Sequence, residues 1–448
     1  MDLRIFESAL HGVFQIPPSK SHSLRAIVLA CFADGTTKLY HVLKSGDTET
    51  AVKIFSELGC TFRVLHECTD TFDLEIIPPA AGLVYAIEKS AKENFVIDCG
   101  NSGTLLYFLA SIFSFCEAKS FRFVGDESLL KRPIHPLSEI FTQRNIKFSS
   151  MNNKLPLSVC GKRENRIELF LDGSFSQCIS GLFLAAVIFK INMCIKLQTV
   201  GEAPYLTMTR GWLEQSGFTF KIFDCEKKYF ELNAAGKNLQ GFSKKIHADW
   251  SAVAFPCLAA LASGSALTVI AESDTSQGDY KILDLLKQFG VRFRFFDGGF
   301  CIEERQILHA AKLDVGETPD LLPVLCAVAS FAKGTSEIGN VEIARYKESD
   351  RVAVTCSELK KCGVDISATQ NTVTVSGGSK KYETSETLCS YGDHRIAMML
   401  IAFALGCKNA SLVQNAGCYK ISFPSFLDEL KKCGARFEQY SDTAASIF

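Results

Sequence analysis

The chain repeats itself, and the repeat limits what it can fold into. One succession recurs along its 448 residues: an apolar helix, a turn of small residues, a β-rich run, then an amphipathic helix closed by a residue suited to a left-handed cap before the next strand. The cleanest copy reads VASFAKGTSEIGNVEIARYKESDRVAVTCSELKKCGVDIS, and LACFADGTTKLYHVLKSGDTETAVKIFSELGCTFRV runs closely parallel to it. The helix-ending residues fall at Gly59, Asn145, Gly217, Gly290, Gly363 and Gly434, at intervals of 86, 72, 73, 73 and 71 residues. Self-similarity at so steady a period signals an architecture built by repeating one supersecondary module. A period of this length is far beyond a solenoid repeat and holds two helices and three or four strands. The fold class predicted is therefore α/β, with six modules gathered as three plus three. The chain is also longer than one hydrophobic core usually serves, which again favours two domains. We expect residues 19–246 to form the first, and residues 1–18 with 247–448 the second.

Charge removes whole classes of function. Lysine and arginine number 48 against 49 acidic residues, a net charge of −1, and no long basic run is present. No global field draws the protein to nucleic acid or to an anionic membrane, so any anion must be met by local groups. The opening MDLRIFESALHGVFQ lacks a basic segment followed by an apolar stretch, and no window approaches the roughly 18 uncharged apolar residues that span a bilayer. A cytoplasmic protein is expected. None of the 18 cysteines forms a C-x-x-C pair, and most lie in apolar runs such as those around Cys257, Cys326 and Cys407. That is the pattern of buried reduced thiols, so neither a metal site nor a disulfide framework is predicted.

Chemistry gathers at helix openings. PPSKSHSLRAIVLACFA places Lys20 and Ser21 at the start of an apolar helix with Arg25 one turn in, and a helix N-terminus with added cations suits an anion. VIDCGNSGTLLYFLASIF breaks a strand at Gly100, Asn101, Ser102 and Gly103, where glycine lets backbone approach a ligand closely. In GDESLLKRPIHPLSEIF, Arg132 is held extended by Pro133. Ser176 and Gln177 open another apolar helix, and Tyr205 follows a proline turn. Further on, Asp320 sits at the mouth of an almost uncharged helix. Lys347 and Arg351, four residues apart, are expected to share a helix face, with Glu348 on a neighbouring one. SYGDHRIAMMLIAFALG sets Asp393, His394 and Arg395 before a buried helix. Taken singly, each segment also reads as an ordinary capped helix or glycine turn. Together, polar groups recur at equivalent ends of repeated modules.

The segments PPSKSHSLR, GNSGT, KRPI, DGSFSQ, PDLLPVLCAVASFAKGT, KESDR and YGDHRIAM, in that order, resemble the signatures of the 5-enolpyruvylshikimate-3-phosphate synthase family from about Pro17 to Pro424. The resemblance implies two inside-out domains, each of three βαβαββ modules, joined by a hinge with the active site in the cleft between them. It implies transfer of the enolpyruvyl group of phosphoenolpyruvate to the 5-hydroxyl of shikimate 3-phosphate, with release of phosphate, in the route to chorismate and aromatic amino acids. No cofactor and no metal are implied; the two small molecules are the partners, and a monomer is expected. Carried over, Lys20, Ser21, Arg25, Ser176, Tyr205, Asp320 and Lys347 hold shikimate 3-phosphate. Lys20, Asn101, Gly103, Arg132, Gln177, Arg351, Arg395 and Lys420 hold phosphoenolpyruvate. Asp320 takes the proton of the attacking hydroxyl, while Glu348, Lys20 and His394 manage protonation at the methylene carbon and its later loss. Two phosphates and two carboxylates bring a charge of roughly −5 to −6, which the six cations Lys20, Arg25, Arg132, Lys347, Arg351 and Arg395 are suited to meet.

The chain also departs from the family pattern. Phe175 stands where Ser-Ser-Gln or Ser-Ala-Gln usually begins, Tyr107 replaces an arginine, and Glu202 replaces a serine. Lys420 lies one position from the expected lysine, whose place Ile421 takes. Two rival readings stand beside the first. One is the sister enolpyruvyl transferase acting on UDP-N-acetylglucosamine, whose reactive-loop cysteine has no counterpart in GDESLLKRPIHP. The other is a catalytically silent binding paralogue.

Overall fold

The computed structural model describes residues 1–222, 228–378 and 381–440. The chain divides into two compact units, Pro18–Ile246 and Met1–Pro17 with the residues from His247 onward. Each unit has its own apolar core, with no buried residue shared between the two.

Six four-stranded mixed sheets carry the repeat, three in each unit. The module beginning at Arg166 shows the plan: strand Arg166–Gly173, helix Ser176–Ile188, strand Asn192–Val200, helix Ala203–Gln215, then strands Thr219–Ile222 and Tyr229–Asn233. The first two strands pair in parallel with Ile167 opposite Met193 and Leu169 opposite Ile195. The last strand returns antiparallel, setting Leu232 beside Met193 and Phe230 beside Ile195. These apolar side chains share the sheet's buried face because strand residues alternate sides, and the strand Arg166–Gly173 alternates exposed and buried accordingly.

Three sheets borrow a strand from far along the chain. Ser243–Lys245 pairs in parallel with Thr37–Leu43 in the first unit. In the second, Val13–Gln15 pairs in parallel with Leu267–Ile270, and Asp2–Phe6 lies antiparallel between Ser411–Gln414 and Arg436–Tyr440. The N-terminal segment thus supplies two strands to the second unit.

The apolar helices are the cores. Gly103–Phe113 and Ser176–Ile188 are buried on nearly every side, as expected of helices with no polar face. They approach so closely that a Cβ on Gly181 would lie 2.8 Å from the Cβ of Ser111 and 2.9 Å from the carbonyl oxygen of Tyr107, which only glycine accommodates. In the second unit Trp250–Ser263, Leu322–Phe331 and His394–Ala404 pack on one another in the same way. The six cap residues read from the repeat all adopt positive φ, from 51° at Asn145 to 107° at Gly59.

The cysteines from Cys31 to Cys433 are free thiols among the described residues, and Cys225 lies outside them. No group of histidine, cysteine and acidic side chains suited to a metal occurs among the described residues, and no helix there is long and apolar enough to cross a membrane.

Candidate active site

In the first unit, Arg25 binds three helices together. Its helix, Lys20–Phe32, is capped by Ser19, whose side chain accepts from the His22 N–H, so Lys20 and Ser21 form the first turn. Arg25, 2% exposed, donates from Nε to Thr209 Oγ1 at 2.8 Å, from Nη1 to the Ser21 carbonyl at 3.0 Å and from Nη2 to the Tyr205 carbonyl at 3.3 Å. Thr209 in turn donates to Ser180 Oγ, one turn beyond Ser176 on the third helix. The guanidinium also lies over the Phe108 ring, 5.1 Å from its centroid. Burial pulls its pKa down to about 10, against the opposing pull of Tyr205 and Glu202, so it is cationic at neutral pH. Of its five N–H donors, two remain for an anion. Ser176 donates to the buried Glu202 carboxylate at 2.9 Å. Phe175, the N-cap of Ser176–Ile188, makes no side-chain cap hydrogen bond.

A second group in this unit surrounds Gly103. Ser102 caps the helix Gly103–Phe113, accepting from the Leu105 N–H. Arg132 Nη2 donates to Asn101 Oδ1 at 3.3 Å, and Asn101 Nδ2 donates to Asp126 Oδ2 at 2.7 Å. Gln177 donates to Thr104 Oγ1 at 3.1 Å. A Cβ on Gly103 would stand 2.7 Å from Arg132 Nη1 and 3.8 Å from Gln177 Oε1, so the bare backbone is what lets guanidinium and amide meet above it. The Arg132 backbone is extended at φ −74° and ψ 143°, as its proline neighbour requires. Tyr107, in place of a cation, fixes this segment: its hydroxyl donates to the Pro133 carbonyl at 2.6 Å. Lys20 pairs with the buried Asp47 at 3.3 Å.

The second unit holds a network of charges around Arg351, whose side chain is 1% exposed. Nε donates to Asp393 Oδ2 at 2.8 Å, Nη2 to Asp393 Oδ1 at 3.3 Å and to Glu348, and Nη1 to Asp320 Oδ1 at 2.6 Å. Arg395 meets the other oxygen of Asp320 at 2.8 Å. Burial pushes the Asp320 carboxyl up, but Arg395, Lys347 and Arg351 outweigh it and hold the acid well below the usual carboxylate range. Burial likewise lowers the Arg351 pKa, yet Asp393, Glu348 and Asp320 carry it above its ordinary value. The network is local architecture as well as charge. Asp320 lies in a 3₁₀ turn, Pro319–Leu321, ahead of Leu322–Phe331. Asp393 caps the helix His394–Ala404 by accepting from the Arg395 N–H at 2.9 Å, and it also accepts from Ser349 Oγ at 3.0 Å. Behind it lies Asp279, buried and bonded to Ser251 Oγ. Burial and the nearby Asp320 push its carboxyl up to about 7, with Arg395 opposing.

Most of the residues singled out in the sequence thus join one of these groups. Lys347 and Arg351 do not share a helix face. Asp350 caps the helix Arg351–Lys361 by accepting from the Ala353 N–H, so Lys347 and Glu348 precede it and reach Asp320 and Arg351 from a turn. Lys420 is exposed in the 3₁₀ segment Ala416–Ile421 and makes no ion pair with the Arg351 network. Sequence reading gave no role to Asp47, Thr209, Asp279 or Asp393. Thr209 carried a signal, lying one turn after Tyr205, and Asp393 stood at an evident cap. Asp47 and Asp279 carried none, because only packing brings them to Lys20 and Asp320.

A family model described as EPSP synthase (3-phosphoshikimate 1-carboxyvinyltransferase) matches residues 6–430. The 3-phosphoshikimate 1-carboxyvinyltransferase of Korarchaeum cryptofilum (strain OPF8) is 31% identical over 439 residues, covering 96% of this chain and 98% of that protein. The enzyme of the same name from Clostridium beijerinckii (strain ATCC 51743 / NCIMB 8052) is 29% identical, covering 98% and 99%. Among solved structures, EPSP synthase from Acinetobacter baumannii superposes with a TM-score of 0.77 at 22% identity, over 98% of this chain and 100% of that one. The enolpyruvyl transferase NikO from Streptomyces tendae gives 0.75 at 14% identity, over 98% of each chain. At these identities the structural likeness establishes the fold.

Proposed function

Because the chain belongs to the EPSP synthase family, we propose that it transfers the enolpyruvyl group of phosphoenolpyruvate to the 5-hydroxyl of shikimate 3-phosphate and releases phosphate. The observation that carries this reading beyond family membership is the Arg351 network. Asp320 is held as the carboxylate by Arg395, Lys347 and Arg351, so it carries no proton and can accept a hydrogen bond from a hydroxyl beside cations that hold anionic reactants. The same cations weaken it as a base, so it takes the proton only as bond formation makes the hydroxyl acidic. The 5-hydroxyl oxygen attacks C2 of phosphoenolpyruvate as its proton passes to Asp320, and a proton from Glu348 or Lys20 reaches the methylene carbon. The tetrahedral intermediate then loses a methyl proton and expels phosphate, restoring the vinyl group. His394, buried at the first turn of its helix, is assigned to that proton traffic.

In this reading Ser21, Arg25, Ser176 and Tyr205 hold the shikimate phosphate, while Asn101, Gly103, Arg132 and Gln177 hold phosphoenolpyruvate together with Arg351 and Arg395. Four of Arg351's five N–H donors already serve carboxylates, so it offers one N–H and a strong field. The reaction as assigned draws on groups of both units. The protein is taken to work in the cytoplasm as a monomer without metal or organic cofactor, which light scattering and assay in chelator test.

The deciding experiment is release of phosphate by purified protein from the two substrates together, with UDP-N-acetylglucosamine as the rival acceptor. Release with shikimate 3-phosphate supports the assignment. Release with the UDP-sugar alone transfers it to the sister reaction, and release with neither leaves the silent paralogue.

A further inference from the structure

Within the pocket assigned to the shikimate phosphate, one buried group has the wrong charge for that ligand. Glu202 is 4% exposed and stands at the N-cap of Ala203–Gln215 in a left-handed conformation, φ 49° and ψ 40°. That backbone is unfavourable for a residue with a long side chain, so the surrounding fold must hold it. The helix start favours a carboxylate there, and the carboxylate is used: Ser176 donates its hydroxyl proton to it at 2.9 Å.

A serine hydroxyl has one proton to give. A phosphate dianion accepts hydrogen bonds and donates none, so Ser176 cannot serve Glu202 and a phosphate at once. Charge points the same way. Arg25 is the cation of this pocket, and Glu202 already acts on it, one of the two groups that offset the effect of burial on its guanidinium. Lys20, the next cation along, is paired with Asp47. The first unit therefore meets an incoming phosphate with much of its positive charge already answered, and with a like charge about one hydroxyl away.

We propose that Glu202 is a specificity-determining residue that weakens the hold of this pocket on the phosphate of the acceptor by competing for Ser176 and Arg25. The proposal rests on the assignment of this pocket to the phosphate of shikimate 3-phosphate. A carboxylate here tilts the site toward acceptors whose corresponding group is less negative or can itself donate a hydrogen bond.

The test is Glu202→Gln, which keeps shape and removes charge, with Glu202→Ser as a second variant should the first fail to fold. Steady-state phosphate release is measured against shikimate 3-phosphate and, separately, against phosphoenolpyruvate. Expected is a fall in KM for shikimate 3-phosphate of at least about tenfold, equivalent to about 1.4 kcal/mol, while the KM for phosphoenolpyruvate stays as it was. A merely structural Glu202 would lower the melting temperature and leave both KM values in place, and an unchanged or higher KM for shikimate 3-phosphate overturns the proposal. If wild type and variants alike release no phosphate, the reaction assigned above fails, and calorimetric titration with inorganic phosphate decides the point separately. Tighter binding by the variant supports the role of Glu202; equal binding, or none by either protein, refutes it.

Discussion

Replacing Gly103 with alanine perturbs one contact of known size. The new Cβ would stand 2.7 Å from Arg132 Nη1, whereas ordinary contact begins at 3.4 Å, so the guanidinium must withdraw by about 0.7 Å. The clash falls on the far end of a flexible side chain, and the next neighbours, Gln177 Oε1 and Tyr107 Cε2, lie at 3.8 Å. The fold should therefore absorb the change, with stability altered by no more than about 0.5 kcal/mol. Arg132 has little slack in its own bonds, since its donation to Asn101 is already 3.3 Å long. A displacement of this size breaks it and moves the charge off an anion placed above Gly103. Losing one hydrogen bond to a charged group costs about 1.5–3 kcal/mol, a fall of roughly ten- to a hundredfold in kcat/KM for phosphoenolpyruvate. Shikimate 3-phosphate should keep its KM, because Ser21, Arg25 and Ser176 do not touch the new methyl group. Steady-state kinetics in each substrate, beside a thermal melt, separates these outcomes. A folded Gly103→Ala enzyme with an unaltered KM for phosphoenolpyruvate, or with both KM values raised equally, would refute the placement of Arg132 over Gly103 as a phosphoenolpyruvate contact.

Asp320→Asn should retain binding of both substrates in calorimetry yet lose most turnover, and undiminished turnover would remove its role as base. The same variant carries a pH signature. Asp320's folded pKa lies far below the unfolded value of about 3.9, so its stabilisation is fully present above that value and is lost as pH falls toward the folded one. The stability difference between wild type and variant should shrink as pH drops below about 4, read by urea unfolding across pH. Arg351→Met leaves Asp393, Asp320 and Glu348 without their shared guanidinium and should cost about 3–5 kcal/mol in urea unfolding; a variant as stable as wild type would show the network to be dispensable. Tyr107→Phe removes the 2.6 Å bond to the Pro133 carbonyl. It should raise the KM for phosphoenolpyruvate about fivefold, from a hydrogen bond worth about 1 kcal/mol, and an unchanged KM would mean that Pro133 alone positions Arg132. Glyphosate, the competitor implied by the family likeness, should inhibit wild type competitively with phosphoenolpyruvate, and strong resistance would count against Gly103 lining that site.

The amino-acid order by itself determined the sixfold α/β plan and the openings of its buried helices. Period, apolar runs and left-handed caps are local properties, and the positive φ at Gly59, Asn145, Gly217, Gly290, Gly363 and Gly434 follows from short-range backbone energetics. Candidate residues such as Arg25, Gly103, Arg132 and Arg395 were visible for the same reason, since each marks a helix start or a turn. Partnership was not visible. Arg351 joins Asp320, 31 positions earlier, to Asp393, 42 positions later, and Arg25 reaches Thr209 across 184 positions. Charge and hydrogen-bond geometry depend on distances that the chain acquires only when its helices pack, so Asp47, Asp279 and the grip of Glu202 on Ser176 were decided by tertiary structure. Local sequence also misjudged Lys347, because whether a helix begins at Lys347 or Arg351 turned on which acid caps it, and packing gave that place to Asp350.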